Sequence, residues 1–500
     1  MAELTARPHP PGTYPIVVVG SGPGGLQTTY WLRRLGIPHA IISADAEPGG
    51  MFLRYPLFQR LNTWSKPQGM AARGTRPYEW YDWNSLVAEE PAHRSLVSEA
   101  MDGVSYFPSR PEMASGLAKF AERTGLQVRY GCRWEATRVA ESADGNRITL
   151  ITSDGEYRCR VAIFAVGMAD PWKPPIGGLE SVPHYVDTQP ARTYAGRRVF
   201  LIGKRNSGFE VADAMLPWAR QIILASPRPT VLSVISAGGG VRAKYLVPFE
   251  DHVIGGGVYV LEASIEHVER TASAWRVAVS GVQTGPRVFE VDDVIAMTGF
   301  TVPMRDLPDA GVATFSMGRL PRMSHYWESM SVPGIFFAGT ITQGAIGLRK
   351  HGGTGNSAAV GGFRHNARVL AEYLAPRFGV TIPPRTMRPD EVVPFLLSEV
   401  TRAPELLNQK AYLARVLTFD GAAGIADTGI KPLAAFVDES GPDAVAMAVE
   451  NGEDGRHLPV VYVRRRGEIS EHRLPQDCLL NFEGPQHRQA LEDVLADLLQ

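Results

Sequence analysis

Two short stretches of the 500-residue chain carry residues whose types and spacing could do chemistry: Gly20-Ser21-Gly22-Pro23-Gly24-Gly25 and Gly203-Lys204-Arg205-Asn206-Ser207-Gly208. Each follows a run of β-formers, Ile16 to Val19 and Val199 to Ile202, and each opens a helical pattern. In that context Gly-x-Gly-x-x-Gly binds a dinucleotide. The first glycine permits a tight turn, the second lets a pyrophosphate approach the backbone, the third lets helix and strand touch, and the helix N-terminus faces the phosphates. The first copy is complete. The second has Arg205 at the middle position, which admits two readings: a guanidinium beside Lys204 replaces backbone approach with ion pairing to phosphate, or the fold is degenerate and binds no nucleotide. The strand end Ala225-Ser226-Pro227-Arg228 favours function, the alternative being that Arg228 is a solvated loop charge. No acid occupies the usual ribose-binding place, whereas Ser226 and Arg228 suit a 2′-phosphate, so the nucleotide expected is NADPH rather than NADH.

The elements that must position these residues repeat one plan. In the first half, a strand to Val19, a helix to about Leu35 stopped by Gly36, and a strand over Ala40 to Ile42 make a βαβ unit. An irregular aromatic stretch from Gly49 to Tyr106 follows, then a helix from about Arg110 to Arg123 and a strand in "LQVRY". Turn signals at Ala143 and Ser153 predict a three-stranded meander ending in "VAIFAVG". After a Pro-rich linker the second half repeats βαβ, several short strands and a closing "DVIAMTGF". A third block, "VPGIFFAGT", continues through a Gly-rich turn into a long helix, a pattern that in a doubly wound sheet returns to the first domain. The expected fold class is α/β: two dinucleotide-binding, Rossmann-like domains, the second inserted in the first, plus a small C-terminal α+β region. The boundaries are 14–190 and 325–385 for the first domain, 195–324 for the second and 389–500 for the accessory region, where two or three strands such as "PVVYVRRRG" are expected.

With 44% hydrophobic residues, 21% charged and a net charge of −1, the chain has no sequence-independent grip on nucleic acid or an anionic membrane. Cys132, Cys159 and Cys478 lie far apart, which excludes a disulfide framework and any Cys-x-x-Cys redox or zinc pair; no metal is expected. No apolar h-region opens the chain and no run is long enough to span a bilayer, so the expectation is a cytoplasmic protein without a membrane partner. Oligomeric state is left open, a homodimer included.

Together with "GPGGLQTTYWLRRLG", "EPGGMFLRYP", "YDWNSL" and "YFPSRPEM", the doubled plan over roughly residues 14 to 385 resembles the FAD-dependent pyridine-nucleotide oxidoreductase superfamily. Within it the chain is similar to flavin-containing and N-hydroxylating monooxygenases and, more nearly, to FAD-dependent oxidoreductase domain-containing proteins. The resemblance implies FAD on the first fold and NADPH on the second. Gly20, Ser21, Gly22, Pro23, Gly24 and Gly25 would line the FAD pyrophosphate. Ser43 stands where relatives have a ribose-binding glutamate, with Asp45 two residues on, and either could accept the ribose hydroxyls. Gly50, Met51 and the "RYP" that follows would approach the flavin. Gly339-Thr340 replaces a Gly-Asp contact to the ribityl chain, and Gln343 to Leu348, Gly347 included, would border the ring. Asn62, Ser65 and Lys66 fall where relatives place polar groups near flavin and nicotinamide; ordinary loop capping is the alternative. Arg349 and Lys350 could meet an anionic substrate or the flavin, and His351 could donate a proton or bind substrate or have a structural place only. Trp64, Tyr78, Trp80, Tyr81 and Trp83 could wall a substrate site or only pack a loop. His184 lacks the framing Phe and Trp of the ketone-oxidising subgroup. The activity implied is transfer of one oxygen atom from O2, through a C4a-hydroperoxyflavin, to a small nucleophilic substrate by N- or S-oxygenation or hydroxylation. The alternatives are a reductase or oxidase serving another acceptor, and a flavin-bound binding module.

Overall fold

Four successive β-branched residues prefer a strand covered on both faces, and in the computed structural model Ile16 to Val19 are no more than 5% exposed. The structure describes residues 7–54, 60–140, 145, 147–232, 241–246, 249, 255–345, 347–348, 355–420 and 424–499. The first sheet holds β1 (Gly12–Val19), β2 (His39–Ile42), β3 (Trp134–Val139), β4 (Ile148–Thr152) and β5 (Gly155–Phe164) in the order β2-β1-β5-β4-β3. β1 runs parallel to β2 and β5, while β3 to β5 form the antiparallel meander. Helix α1 (Pro23–Arg34) crosses from β1 to β2, and α2 (Arg110–Arg123) opens on a Ser109/Glu112 capping box. The expected strand in "LQVRY" is reduced to one bridge, Ile42 to Arg129. Left-handed turns at Gly125 and Gly131 flank it too closely for a ladder beside the end of β2.

The second sheet is wholly parallel, in the order β12-β6-β7-β8, from β6 (Arg198–Ile202), β7 (Gln221–Ser226), β8 (Val258–Glu262) and β12 (Asp293–Ala296). Helix α3 (Asn206–Met215) joins β6 to β7. Between β8 and β12 an antiparallel layer is formed by β9 (Ser264–Arg270), β10 (Trp275–Ser280) and β11 (Arg287–Val291). The chain enters and leaves this domain side by side, Asp170–Pro171 pairing with Phe300–Thr301. It then returns to the first sheet, where β13 (Ile335–Phe337) runs parallel to β5 and leads to α4 (Val360–Leu374).

The C-terminal region is larger in architecture than its sequence pattern predicts. Six antiparallel strands, β14 (Arg385–Met387), β15 (Leu413–Asp420), β16 (Gly424–Pro432), β17 (Ala444–Asn451), β18 (His457–Arg465) and β19 (Glu468–Arg473), order as β14-β16-β15-β17-β18-β19. Helices α5 (Pro389–Arg402), α6 (Pro404–Asn408), α7 (Leu433–Asp438) and α8 (Pro485–Leu495) accompany them. β17 shows the period of two: Val445, Met447 and Val449 join a core continuous with Ile16, Phe164 and Leu370, whereas Ala444, Ala446 and Ala448 pack with Leu433 and Phe436 of α7. The region therefore shares a core with the first domain. The second domain keeps separate cores on the two faces of its sheet.

Candidate functional site

A cavity of about 500 Å3 opens at the C-terminal ends of β1 and β2, where a doubly wound sheet places ligands. Gly20, Ser21, Gly22, Pro23 and Gly24 line it from the β1–α1 turn, Ser43 and Asp45 from the end of β2, and Gly50 and Met51 from the next turn. Gly339 and Thr340 line it after β13, as do Ala358 to Val360 at the start of α4. Asn206, Ser207 and Glu210 reach it from α3 of the second domain. The floor is backbone because side chains have no room: a Cβ on Gly24 would lie 2.5 Å from the Gly339 Cα. Gly25 lies behind this floor, its missing Cβ letting α1 close on the Gly20 carbonyl. The second motif repeats the device, Gly208 closing on the Gly203 carbonyl, and both Gly20 and Gly203 have φ above +100°.

Three helices begin at this cavity without a side-chain cap or an acidic residue in the first turn: α1 at Gly22, α3 at Arg205 and α4 at Ala359. Their first N–H groups and positive dipole ends favour anionic or carbonyl oxygens. Arg54, Arg60, Arg110, Arg133 and Arg305 also line the wall. Arg54 donates to Asp45 at 2.8 Å, and Ser21 donates to Ser43 at 2.8 Å. Arg110 donates from Nη1 to the Leu53 carbonyl at 2.9 Å, while its buried Nε has no partner among the described residues. Such a wall suits a ligand with a diphosphate.

The loop bearing Asn62 is fixed from behind. Asn62 and Thr63 line the cavity. Thr63 donates to Asn84 at 2.7 Å, Asn84 donates to Ser65 at 3.1 Å, and Ser65 donates to Asp82. Ser65 is thus wholly buried in a network that positions the loop, the loop-capping alternative, and Lys66 is exposed and does not line the cavity. The aromatic cluster also turns out to be loop packing and docking. Trp64 packs on Trp83 with centroids 4.6 Å apart and ring planes tilted by 36°, Tyr78 donates to the Lys66 carbonyl at 2.6 Å, and Trp80 donates to the Arg402 carbonyl at 2.9 Å. Neither these rings nor Tyr81 line the cavity.

The cations of the second motif lie outside the cavity lining. Arg205 has φ −105°, a conformation open to any side chain, so arginine replaces glycine there without backbone strain. Arg205 and Arg228 are exposed, with no side-chain partner among the described residues. Lys204 departs from the expected phosphate-facing role: it is buried, its Nζ lies 3.9 Å from Glu262, and desolvation lowers its pKa. Gly347 and Leu348 lie away from the cavity, Gly347 against Tyr412 and Leu348 against the C-terminal core, because the chain turns toward that region after Gly344. Tyr55, Pro56, Arg349, Lys350 and His351 lie outside the described residues. His184 is buried, its Nε2 2.9 Å from the Gly299 carbonyl, and has a structural place beside Phe300.

Several lining residues carry no sequence signal. Glu210 is buried and accepts from Tyr185 at 2.9 Å and Tyr245 at 3.3 Å. Burial, then the Glu210 carboxylate, raises the Tyr245 hydroxyl above the usual tyrosine range. Arg133 and Trp134, and Arg305 lying 5.6 Å from the Trp134 ring, come together only through the fold.

A model of the pyridine nucleotide-disulphide oxidoreductase family matches residues 17–339. FAD-dependent oxidoreductase domain-containing protein 2 of Danio rerio is 24% identical over 460 residues, which are 81% of this chain and 65% of that protein, so the chain spans a little under two thirds of its relative. Among solved structures, a bacillithiol disulfide reductase from Staphylococcus aureus aligns with a TM-score of 0.55 at 17% identity, over 73% of this chain and 99% of its own. A flavin-containing monooxygenase from Stenotrophomonas maltophilia aligns with a TM-score of 0.54 at 21% identity, over 73% and 99%. These two likenesses are of fold.

Proposed function

The chain belongs to the FAD-dependent pyridine nucleotide-disulphide oxidoreductase family, and on that premise we propose that it is an NADPH-dependent FAD monooxygenase acting on a small nucleophilic substrate. The observation that carries this reading is one cavity lined both by the complete glycine turn of the first sheet and by the first turn of α3 from the second. The residues fit FAD: the side-chain-free floor at Gly22, Gly24, Gly50 and Gly339 leaves room for a diphosphate, and the Arg110 Nε, without a partner among the described residues, is a donor in want of an acceptor. Gly20 to Gly24 and the start of α1 would hold the diphosphate, Ser43 and Asp45 a ribose, and Met51, Thr340 and Ala358 to Val360 the remainder. Ser207 and Asn206, with Arg205 and Arg228 at the rim, would take NADPH.

The bound flavin supplies two-electron acceptance from nicotinamide and reaction with O2. In balance, NADPH, a proton, O2 and substrate give NADP+, water and the oxygenated substrate. The protein's part is orientation and exclusion of water. Asn62 lines the cavity on a loop held by the Ser65–Asp82 network and would orient the ligand there, and the two tyrosine hydroxyls hold Glu210 at the second domain's edge. Buried Cys132 and Cys159 and exposed Cys478 all lie off the cavity, which favours oxygen over an internal dithiol as acceptor. The fold likeness to a disulfide reductase keeps a second reading in play, a reductase serving an external acceptor.

The test is NADPH oxidation under 18O2 with a panel of amines and sulfides, on protein reconstituted with FAD. The reading expects substrate-stimulated consumption and one labelled oxygen atom per product. Consumption without label moves the assignment to the reductase, and a chain that takes up no FAD removes both.

A further inference from the structure

A second cavity, of about 380 Å3, lies at the seam between the first domain and the C-terminal region. Its walls are apolar, with Phe315 and Met323 on one side and Tyr412, Pro432 and Ala434 on the other. Tyr412 is fixed by the Trp327 indole, which donates to its hydroxyl at 2.7 Å. The remaining wall is Gly344, Ala345 and Gly347, where glycine keeps space open: a Cβ on Gly344 would lie 3.2 Å from the Met323 Cε, and one on Gly347 would lie 2.6 Å from the Tyr412 ring. An apolar pocket of this size with few polar groups at its edge is what a small organic ligand requires.

The polar groups carry a sign. Arg322 lines the cavity and is exposed; its Nε reaches the Thr314 carbonyl at 3.4 Å, and among the described residues its terminal nitrogens have no acceptor. His325, the other basic lining residue, is 3.0 Å from Asp438 of α7, so that carboxylate is engaged. No acidic residue lines the cavity among the described residues. We propose that this cavity binds a small apolar monocarboxylate, its hydrocarbon body between Met323 and Tyr412 and its carboxylate on Arg322. Met323 and Met330, unbranched and polarizable, suit bodies of varied shape. The site is separate from the nucleotide cavity and does not depend on the oxygenase reading. The two share the Gly339–Gly344 turn, which meets the nucleotide cavity at Gly339 and Thr340 and this one at Gly344.

The probe is 3-phenylpropionate, titrated into the full chain by calorimetry, with 3-phenylpropan-1-amine as the cationic control. Saturable binding of one equivalent is expected, about tenfold tighter than the amine, since a charge-assisted hydrogen bond to arginine is lost and a like charge added. Arg322→Gln, at an exposed position, should weaken the acid about tenfold and, with the like charge gone, leave the amine bound no more weakly than before, so that the preference for the acid disappears. Ala345→Phe, at a half-buried lining position, should abolish binding by filling the space, with Ala434→Phe as an independent second block; far-UV circular dichroism and FAD uptake report whether each folds. The proposal is overturned if the acid shows no saturation at about 10 mM, which even a fragment of modest ligand efficiency should reach. It is equally overturned if acid and amine bind alike, or if Gly24→Ala in the nucleotide cavity abolishes binding while folded Arg322→Gln and Ala345→Phe do not weaken it.

Discussion

Lys244 joins the first and second domains, and replacing it with methionine should change how stability depends on pH. Its Nζ donates to the Leu61 carbonyl at 2.9 Å, on the loop that carries Asn62, and lies 3.9 Å from the Phe107 ring and 4.6 Å from the Tyr245 ring. Burial, opposed in part by Glu210 and Asp213 and reinforced by Arg242 and Arg60, lowers the amine from 10.5 to about 8. The folded state therefore releases this proton before the unfolded chain does. Below pH about 8 both states are charged and the desolvation penalty is present in full; between about 8 and 10.5 the unfolded chain holds more protons, so stability rises with pH. The interval corresponds to about 3 kcal/mol, which solvent screening at a half-buried site reduces to roughly 1–2 kcal/mol. At pH 7 that penalty offsets the hydrogen bond and the two cation–π contacts, each worth about 0.5–1 kcal/mol. Lys244→Met should then unfold near the wild-type urea midpoint at pH 7 and fall behind by roughly 1–2 kcal/mol at pH 10. Comparing the two chains at each pH cancels the other titrating groups. Parallel profiles from pH 7 to 10 would refute the claim that a desolvated ammonium sits in the seam.

Gly24→Ala places a methyl 2.5 Å from the Gly339 Cα, so it should cost about 1–3 kcal/mol and lower the bound flavin per chain, read by absorbance. Arg228→Ser should weaken NADP+ by about tenfold and leave NAD+ unaffected, whereas Arg205→Gly should weaken both, measured by calorimetry. Arg76→Met removes the ion-pair partner of buried Glu405 at 3.0 Å and one of the two of Glu399 at 2.8 Å, which keeps Arg415; a loss of about 3–5 kcal/mol, chiefly from Glu405, and faster proteolysis of the C-terminal region are expected.

The glycine turns and the returning strand were legible because each is a local necessity: β-branched strand, tight turn, uncapped helix. Gly20, Gly203 and Gly339 are positions where only backbone fits, and glycine advertises that in one letter. The alternatives for Ser65 and Lys66 stayed open in the sequence because an Asn/Ser-rich loop has the same composition whether its polar atoms face a ligand or one another; Asp82, seventeen residues on, turns Ser65 inward. The arginine wall and the Tyr185–Glu210–Tyr245 group were invisible because their members come from separate elements. The C-terminal strands were undercounted because β15 and β16 interleave Arg415, Asp427 and Thr428 with apolar residues, polar groups that the tertiary fold satisfies.

Those polar residues explain how a region without a motif can still shape the site. Glu399 of α5 accepts from Arg415 and from Arg76, and Arg76 also holds Glu405 of α6, so four charged groups join the C-terminal sheet to the aromatic stretch that follows the Asn62 loop. Three residues after Arg76, Glu79 is buried beside Arg94 and Arg364; desolvation pushes its carboxyl up to about 7. Arg364 of α4, wholly buried, donates to the Asp82 and Ser85 carbonyls at 2.7 Å and to the Glu79 carbonyl at 3.2 Å. The helix whose N-terminus opens on the nucleotide cavity is thereby fastened to the same Asp82 segment that orients Ser65 and, through it, the Asn62 loop. Buried ion pairs contribute little net stability, but they are costly to break singly, and a network of them admits few alternative registers. The C-terminal region fixes the positions of two walls of a cavity to which it contributes no lining residue among those described.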